Sequence, residues 1–114
     1  MKVNFKDLRP SELILETIEE RLKDDFKRFP DLRSEAVEVT VSMENSPQQA
    51  GPDVFGIRFR VLKGRYKGII LQKKSQSFYR ALGKLNKSLV ERLNRAGEKV
   101  RTRSRKKQIT NSNN

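Results

Sequence analysis

The spacing of the apolar residues changes along this chain, and the order of those changes limits the folds open to it. Between residues 36 and 74, apolar residues recur at every second position, as in strands with one buried face. Over 11–29 and again from residue 75, they recur every three or four positions, as in helices. A short alternating segment, KVNFK, precedes the first helix. The sequence therefore predicts the order β-α-β-β-β-α.

This order predicts an α+β fold with a four-stranded mixed sheet. Strands are expected at 2–6, 36–44, 54–62 and 66–74. A helical crossover makes the first two strands parallel, and the later strands form an antiparallel meander. Both helices must cover the inward apolar side chains, so they pack on one face of the sheet. We expect a single domain over residues 1–100, followed by a flexible basic tail over 101–114 that has no apolar period.

Local signals set the expected ends of the helices and the register of the last strand. Ser11 and Ser75 are candidate N-caps, Pro30 ends the first helix, and Gly97 is a candidate C-cap of the second. In the last strand we expect Ile69 and Leu71 to face inward and Ile70 to be exposed, with Gly64 at the centre of the preceding turn. One buried face of the second helix is expected to consist of Phe78, Leu82, Leu85, Leu89 and Leu93.

Charge divides the chain into two unlike parts. Residues 1–60 hold 10 basic and 12 acidic side chains, whereas residues 61–114 hold 16 basic and 2 acidic ones. A solvated basic surface is the plainer interpretation. Self-repulsion on this scale destabilises a compact domain, however, so the second part is expected to bind a polyanion.

Composition excludes several kinds of site. The chain has no Cys and no His, so it has no disulfide, no thiolate or imidazole metal ligand and no Cys- or His-based catalysis. The pairs Glu19–Glu20 and Asp24–Asp25 are adjacent on a helix, where neighbours point apart, and a solvated helix face explains them better than a metal site. The start of the chain lacks the apolar run of a signal peptide. We expect a non-enzymatic, cytoplasmic protein with no cofactor, no metal, no small-molecule substrate and no membrane partner.

Two residues of the second helix allow more than one interpretation. Gly83 lies inside the helix, where glycine costs about 1 kcal/mol relative to alanine. Close approach of the first helix or of a phosphate backbone explains it, and so does a tolerated surface glycine. Tyr79, beside the apolar stripe, either packs half-buried or stacks on a nucleic-acid base.

The basic residues of both helices form the candidate binding site, because lysine and arginine neutralise phosphates and release counterions. If both helices lie on one sheet face, the basic end of the first and the basic face of the second are expected to form one ridge, suited to structured RNA. The candidate RNA-binding residues are Arg21, Lys23, Lys27, Arg28, Arg80, Lys84, Lys87, Arg92, Arg95, Lys99, Arg101 and Arg103.

Over roughly residues 1–100 the sequence resembles the ribosome hibernation-promoting factors, which include the ribosome-associated inhibitor and the sigma-54 modulation proteins. The resemblance rests on KVNF, ETIEERLKDDFKRF, VEVTVSME and above all SQSFYRALGKLNKSLVERL, with its Tyr79 and Ala81. It implies the β-α-β-β-β-α fold. It also implies binding to the small ribosomal subunit through rRNA, blocking the mRNA and tRNA path.

The resemblance also bears on individual residues. Arg21, Arg95 and Lys99 stand where the family commonly has a basic residue. Four positions depart from the family pattern: Asp24, Ser88 and Glu91 replace basic residues, and Ser77 replaces an aspartate. The chain is similar to the short type, which lacks the C-terminal dimerisation domain, so a monomer off the ribosome is expected. The alternatives are a general structured-RNA-binding or RNA-chaperone module, and a regulator that acts through protein contacts.

Overall fold

The computed structural model describes residues 1–44 and 53–112, with side chains placed as far as Ala96 in the last helix. Most of the loop predicted at 45–53 lies outside the described residues. A 3₁₀ turn, Ser34–Ala36, leads into the second strand. The elements are β1 (Lys2–Lys6), α1 (Glu12–Arg28), β2 (Val37–Glu44), β3 (Val54–Val61), β4 (Ile70–Ser75) and α2 (Phe78–Ser112). The predicted order β-α-β-β-β-α is confirmed.

The four strands form one mixed sheet in the order β1-β2-β3-β4. β1 runs parallel to β2, and the β2–β3 and β3–β4 pairs are antiparallel. The register sets apolar residues of neighbouring strands opposite one another, as where Val39 pairs with both Val3 and Phe59. Most apolar side chains of the four strands therefore collect on one face.

The core lies between that face and both helices, as expected. Ile18 and Leu22 of α1 are fully buried, and all five residues of the predicted α2 stripe are buried. At about 1.5–3 kcal/mol for each large apolar side chain, burial of the α2 stripe contributes on the order of 10 kcal/mol before the entropy cost. The opposite face of the sheet, here called the open face, carries polar residues such as Thr40, Arg58 and Gln72, which pair across the strands.

The start of the last strand differs from the prediction: β4 begins at Ile70 rather than at residue 66. Residues 62–69 form a longer turn, in which Gly64 and Gly68 adopt positive φ angles of 86° and 95°. The turn is closed because the Gly68 N–H donates to the Val61 carbonyl at 3.0 Å. The predicted register is confirmed, since Ile69 is buried and Ile70 is 54% exposed.

The ends of the helices are partly as predicted. Ser11 caps α1, and its hydroxyl accepts the Ile14 N–H. Ser75 does not cap α2, because it is the last residue of β4; the Ser77 hydroxyl instead accepts the Arg80 N–H at 3.4 Å. The predicted end at Gly97 is wrong, since α2 continues to Ser112. A single glycine weakens a helix by only about 1 kcal/mol and does not stop it. Flexibility of residues 101–114 stays a prediction.

Candidate nucleic-acid interface

α2 presents its cations to solvent on the side away from the core. Its described side chains include five basic residues and one acidic residue, Glu91, and all six are exposed. None of them belongs to a salt bridge among the described side chains. The five cations are Arg80, Lys84, Lys87, Arg92 and Arg95. They are therefore available to a negatively charged partner.

These cations project away from the buried stripe of α2, and two of them lie on the side that faces β4. The α1 side is marked by Asn86, which contacts Asp25, and by Gly83, where an added Cβ would lie 3.8 Å from the Arg21 guanidinium. On the other side, Arg92 and Arg95 line a cleft against β4. We call the five α2 cations together with Lys73 of β4 the α2–β4 surface.

Sequence reasoning missed Lys73. It pairs with the fully buried Ile57, so its side chain lies on the helix-covered face of the sheet, where it is half-buried beside α2. The signal was present in the alternation of the last strand, in which Leu71 and Lys73 share a face. A lysine on the inward face is tolerated here because β4 is an edge strand, so the ammonium group can reach solvent past the edge of the sheet.

Three basic residues of α1 lie along the groove beside α2. Arg21 lies in the groove between the helices, close to Gly83. Lys23 and Lys27 are exposed and are among the residues that line the same groove. The expected single ridge across both helices stays a prediction. Exposed carboxylates, Glu16, Glu20 and Asp24, line this groove.

Asp25 departs from the expectation of a solvated helix face. It is buried, and its carboxylate accepts a hydrogen bond from the Asn86 side-chain amide of α2. Burial raises the pKa of Asp25 above its usual value, and the Asn86 hydrogen bond and the Arg21 charge oppose that rise. The Asp25–Asn86 bond fixes α1 against α2, and pairing compensates the cost of a buried polar group.

The two ambiguous residues of α2 are now placed. Tyr79 is 63% exposed, with its ring edge-on to Phe78 at 5.9 Å between ring centroids, so the half-buried interpretation is wrong. Its outer ring face is available for stacking. Near Gly83 the nearest side-chain atom to an added Cβ belongs to the flexible end of Arg21, at an ordinary contact distance. Packing against α1 therefore does not require a glycine.

The other candidate residues and sites are less constrained. Arg28 is exposed in the last turn of α1, and the side chains of Lys99, Arg101 and Arg103 lie outside the described ones. Among the described residues, no group of three or more acidic side chains is placed to hold a metal ion. Within that same part of the chain, neither helix has a stretch long and apolar enough to cross a bilayer.

Comparison with known proteins bears on the fold. No protein-family model matches the sequence, and no curated protein matches it. A ribosomal subunit interface protein from Coxiella burnetii is similar over 86% of this chain and 99% of its own, with a TM-score of 0.49 and 11% identity. The crystal structure of the N-terminal domain of Protein Y from Thermus thermophilus is similar over 83% of this chain and 98% of its own, with a TM-score of 0.57 and 11% identity. This chain therefore has the fold of the Protein Y N-terminal domain.

Proposed function

We propose that this protein is a ribosome hibernation factor, which binds the small ribosomal subunit through rRNA and blocks the path of mRNA and tRNA. The proposal is supported by the sequence resemblance, which implied the β-α-β-β-β-α fold. The structure has that element order and a four-stranded sheet. It also has the shape of the Protein Y N-terminal domain.

The observation that carries the proposal is the α2–β4 surface. Its six cations have no salt-bridge partner among the described side chains. Lysine and arginine on such a surface neutralise backbone phosphates and release condensed counterions. If about six phosphates are neutralised, the affinity for small subunits falls about 10³-fold between 50 and 200 mM salt.

Inhibition follows from occupancy and needs no chemical step. A protein that fills the mRNA and tRNA path competes with both ligands, so each lowers the apparent affinity of the other. Activity returns when the protein is washed from the ribosome at high salt, because the contacts are electrostatic. Damage to rRNA that persists after the wash is inconsistent with this mechanism.

Filter binding on purified small subunits, with labelled initiator tRNA and mRNA, tests the proposal. We expect the protein and tRNA to exclude each other in a concentration-dependent manner. Simultaneous binding without mutual loss of affinity contradicts occlusion. An unrelated structured RNA of equal length serves as a control. Equal affinity for that RNA supports the alternative of a general RNA-binding or RNA-chaperone module.

A further inference from the structure

The cleft between the edge strand β4 and α2 brings together cations from two elements. It is lined by Lys73 of β4 and by Arg92 and Arg95 of α2, with a single acidic residue, Glu91. None of these four side chains forms a salt bridge among the described residues. Three like charges beside one cleft repel each other, and an anion in the cleft relieves that repulsion.

The cleft differs from the rest of the basic surface in shape. Its volume is about 400 Å³, towards the small end of the range for ligand pockets, about 300–1,000 Å³. A phosphate with its sugar fits such a space, whereas an RNA duplex does not enter it. β4 also pairs with β3 alone, so one side of its backbone has no strand partner, and the edge of a sheet is a known setting for anion sites.

An apolar side chain adjoins the cations. Leu71 lines the same cleft, lies on the helix-covered face with Lys73 and is half-buried there. A bare cation cluster binds any anion, but cations beside an apolar contact suit a nucleotide. The sugar or base then covers Leu71 while the phosphate meets the lysine and arginines.

We propose that this cleft is a subsite for one nucleotide of a single RNA strand. Lys73 and the two arginines hold the phosphate, and Leu71 contacts the sugar or base. The identity of the RNA rests on the proposed function. If that function is right, the RNA is a single-stranded rRNA segment beside the main contact area. Such a strand follows the edge of β4 and not the outer side of α2 alone.

The chain provides a matched control for Lys73. Lys74 is its neighbour on the same strand, but its side chain lies on the open face and its ammonium pairs with Glu44 at 2.9 Å. Lys73→Gln and Lys74→Gln therefore remove the same charge from adjacent positions on opposite faces. A melting temperature for each variant verifies that the fold is retained, and Lys73→Met, which keeps the apolar stem, replaces Lys73→Gln if that variant is destabilised.

The test measures the affinity of the wild type and both variants for a short oligouridylate and for small subunits, across a salt series. We expect Lys73→Gln to bind both about fivefold more weakly at 0.1 M salt, with the slope of log K against log salt reduced by about 0.7 for the lost contact. We expect Lys74→Gln to stay within about twofold of the wild type at the same salt, because long-range charge is screened. Equal losses in the two variants overturn the subsite.

The outcomes also separate the subsite from the proposed function. If Lys73→Gln weakens oligouridylate binding selectively but the wild type does not bind small subunits, the subsite stands and the hibernation role fails. If the wild type binds small subunits and both variants bind them equally well, the role stands and the subsite is wrong.

Discussion

α1 and α2 both hold the sheet through an apolar stripe, but they arrange their charges differently. α1 carries 6 acidic and 4 basic residues around its surface, and one of the acidic residues is buried. The described part of α2 carries five cations and one carboxylate, all of them exposed and directed away from its buried stripe. In α2 the packing face and the charged face are separate, so binding and folding can be altered independently. In α1 they overlap at Asp25.

The largest effect is expected from reversing the charge of α2. Changing Lys84, Lys87 and Arg95 together to Glu should weaken small-subunit binding about 10³-fold, because each lost phosphate contact removes a counterion-release contribution. Circular dichroism should show an unchanged helical fold. The control is the double variant Lys23→Glu and Lys27→Glu on α1, which should weaken small-subunit binding far less than the α2 variant does. Full binding by the folded α2 variant would place the interface elsewhere.

The packing face of α2 should respond in the opposite way. Leu85→Ala removes a fully buried side chain and should lower the free energy of unfolding by about 2–5 kcal/mol. The midpoint of urea denaturation measures this loss. The folded fraction should bind small subunits with the wild-type affinity. Reduced affinity of the folded fraction would mean that the two faces are coupled after all.

In α1, removal of the Asp25 carboxylate tests whether one charged residue also holds the two helices together. Asp25→Ala leaves the Asn86 amide without its partner and should cost about 1–3 kcal/mol of stability. Asp25→Asn keeps an acceptor and removes the buried charge, so it should stabilise the protein at pH 7.

The pH dependence of that gain follows from the raised pKa. The folded state holds the Asp25 proton more tightly than the unfolded state, so the stability that comes from its protonation is present at low pH and lost as pH rises through the folded pKa. The stabilising effect of Asp25→Asn should therefore be greatest at neutral pH and shrink on acidification. Thermal melts of both proteins from neutral to acidic pH measure it, and a gain independent of pH would argue against a charged, buried Asp25.

The smallest effect concerns Gly83, between the two helices. Gly83→Ala should raise stability by about 1 kcal/mol, since alanine is the better helix former and its Cβ meets only the flexible end of Arg21. Because this position is remote from the β4 side of α2, small-subunit affinity should stay unchanged. A stabilised variant with weakened binding would indicate that RNA approaches the groove.

Periodicity predicted the fold well because each element buries one face. The apolar stripe around Leu85 shows which side of α2 is buried, and the alternation around Ile57 shows which side of β3 is buried. The buried sides of the helices and of the sheet must then pack against each other. The start of β4 was not predictable in this way. Tyr66 and Ile69 are buried although they belong to the preceding turn, and buried apolar residues there resemble the pattern of a strand. The burial of Asp25 depends on Asn86, 61 positions away, which no local pattern reveals.

The candidate site was predictable in composition but not in layout. Basic residues of α2 could be identified because they lie opposite the apolar stripe. The neighbours of these residues in the fold could not be predicted, because they depend on where α1 packs and on which strand lies at the edge of the sheet. Lys73 belongs to the surface for that reason.

The open face of the sheet also offers an attachment point remote from both helices. The chain contains no cysteine, so one introduced at Gln72, an exposed position in the middle of β4, would be the only thiol. A fluorophore or a surface tether placed there points away from the helix-covered side of the sheet. Arrival and release of the protein could then be followed on single immobilised particles while the basic side of α2 is left free.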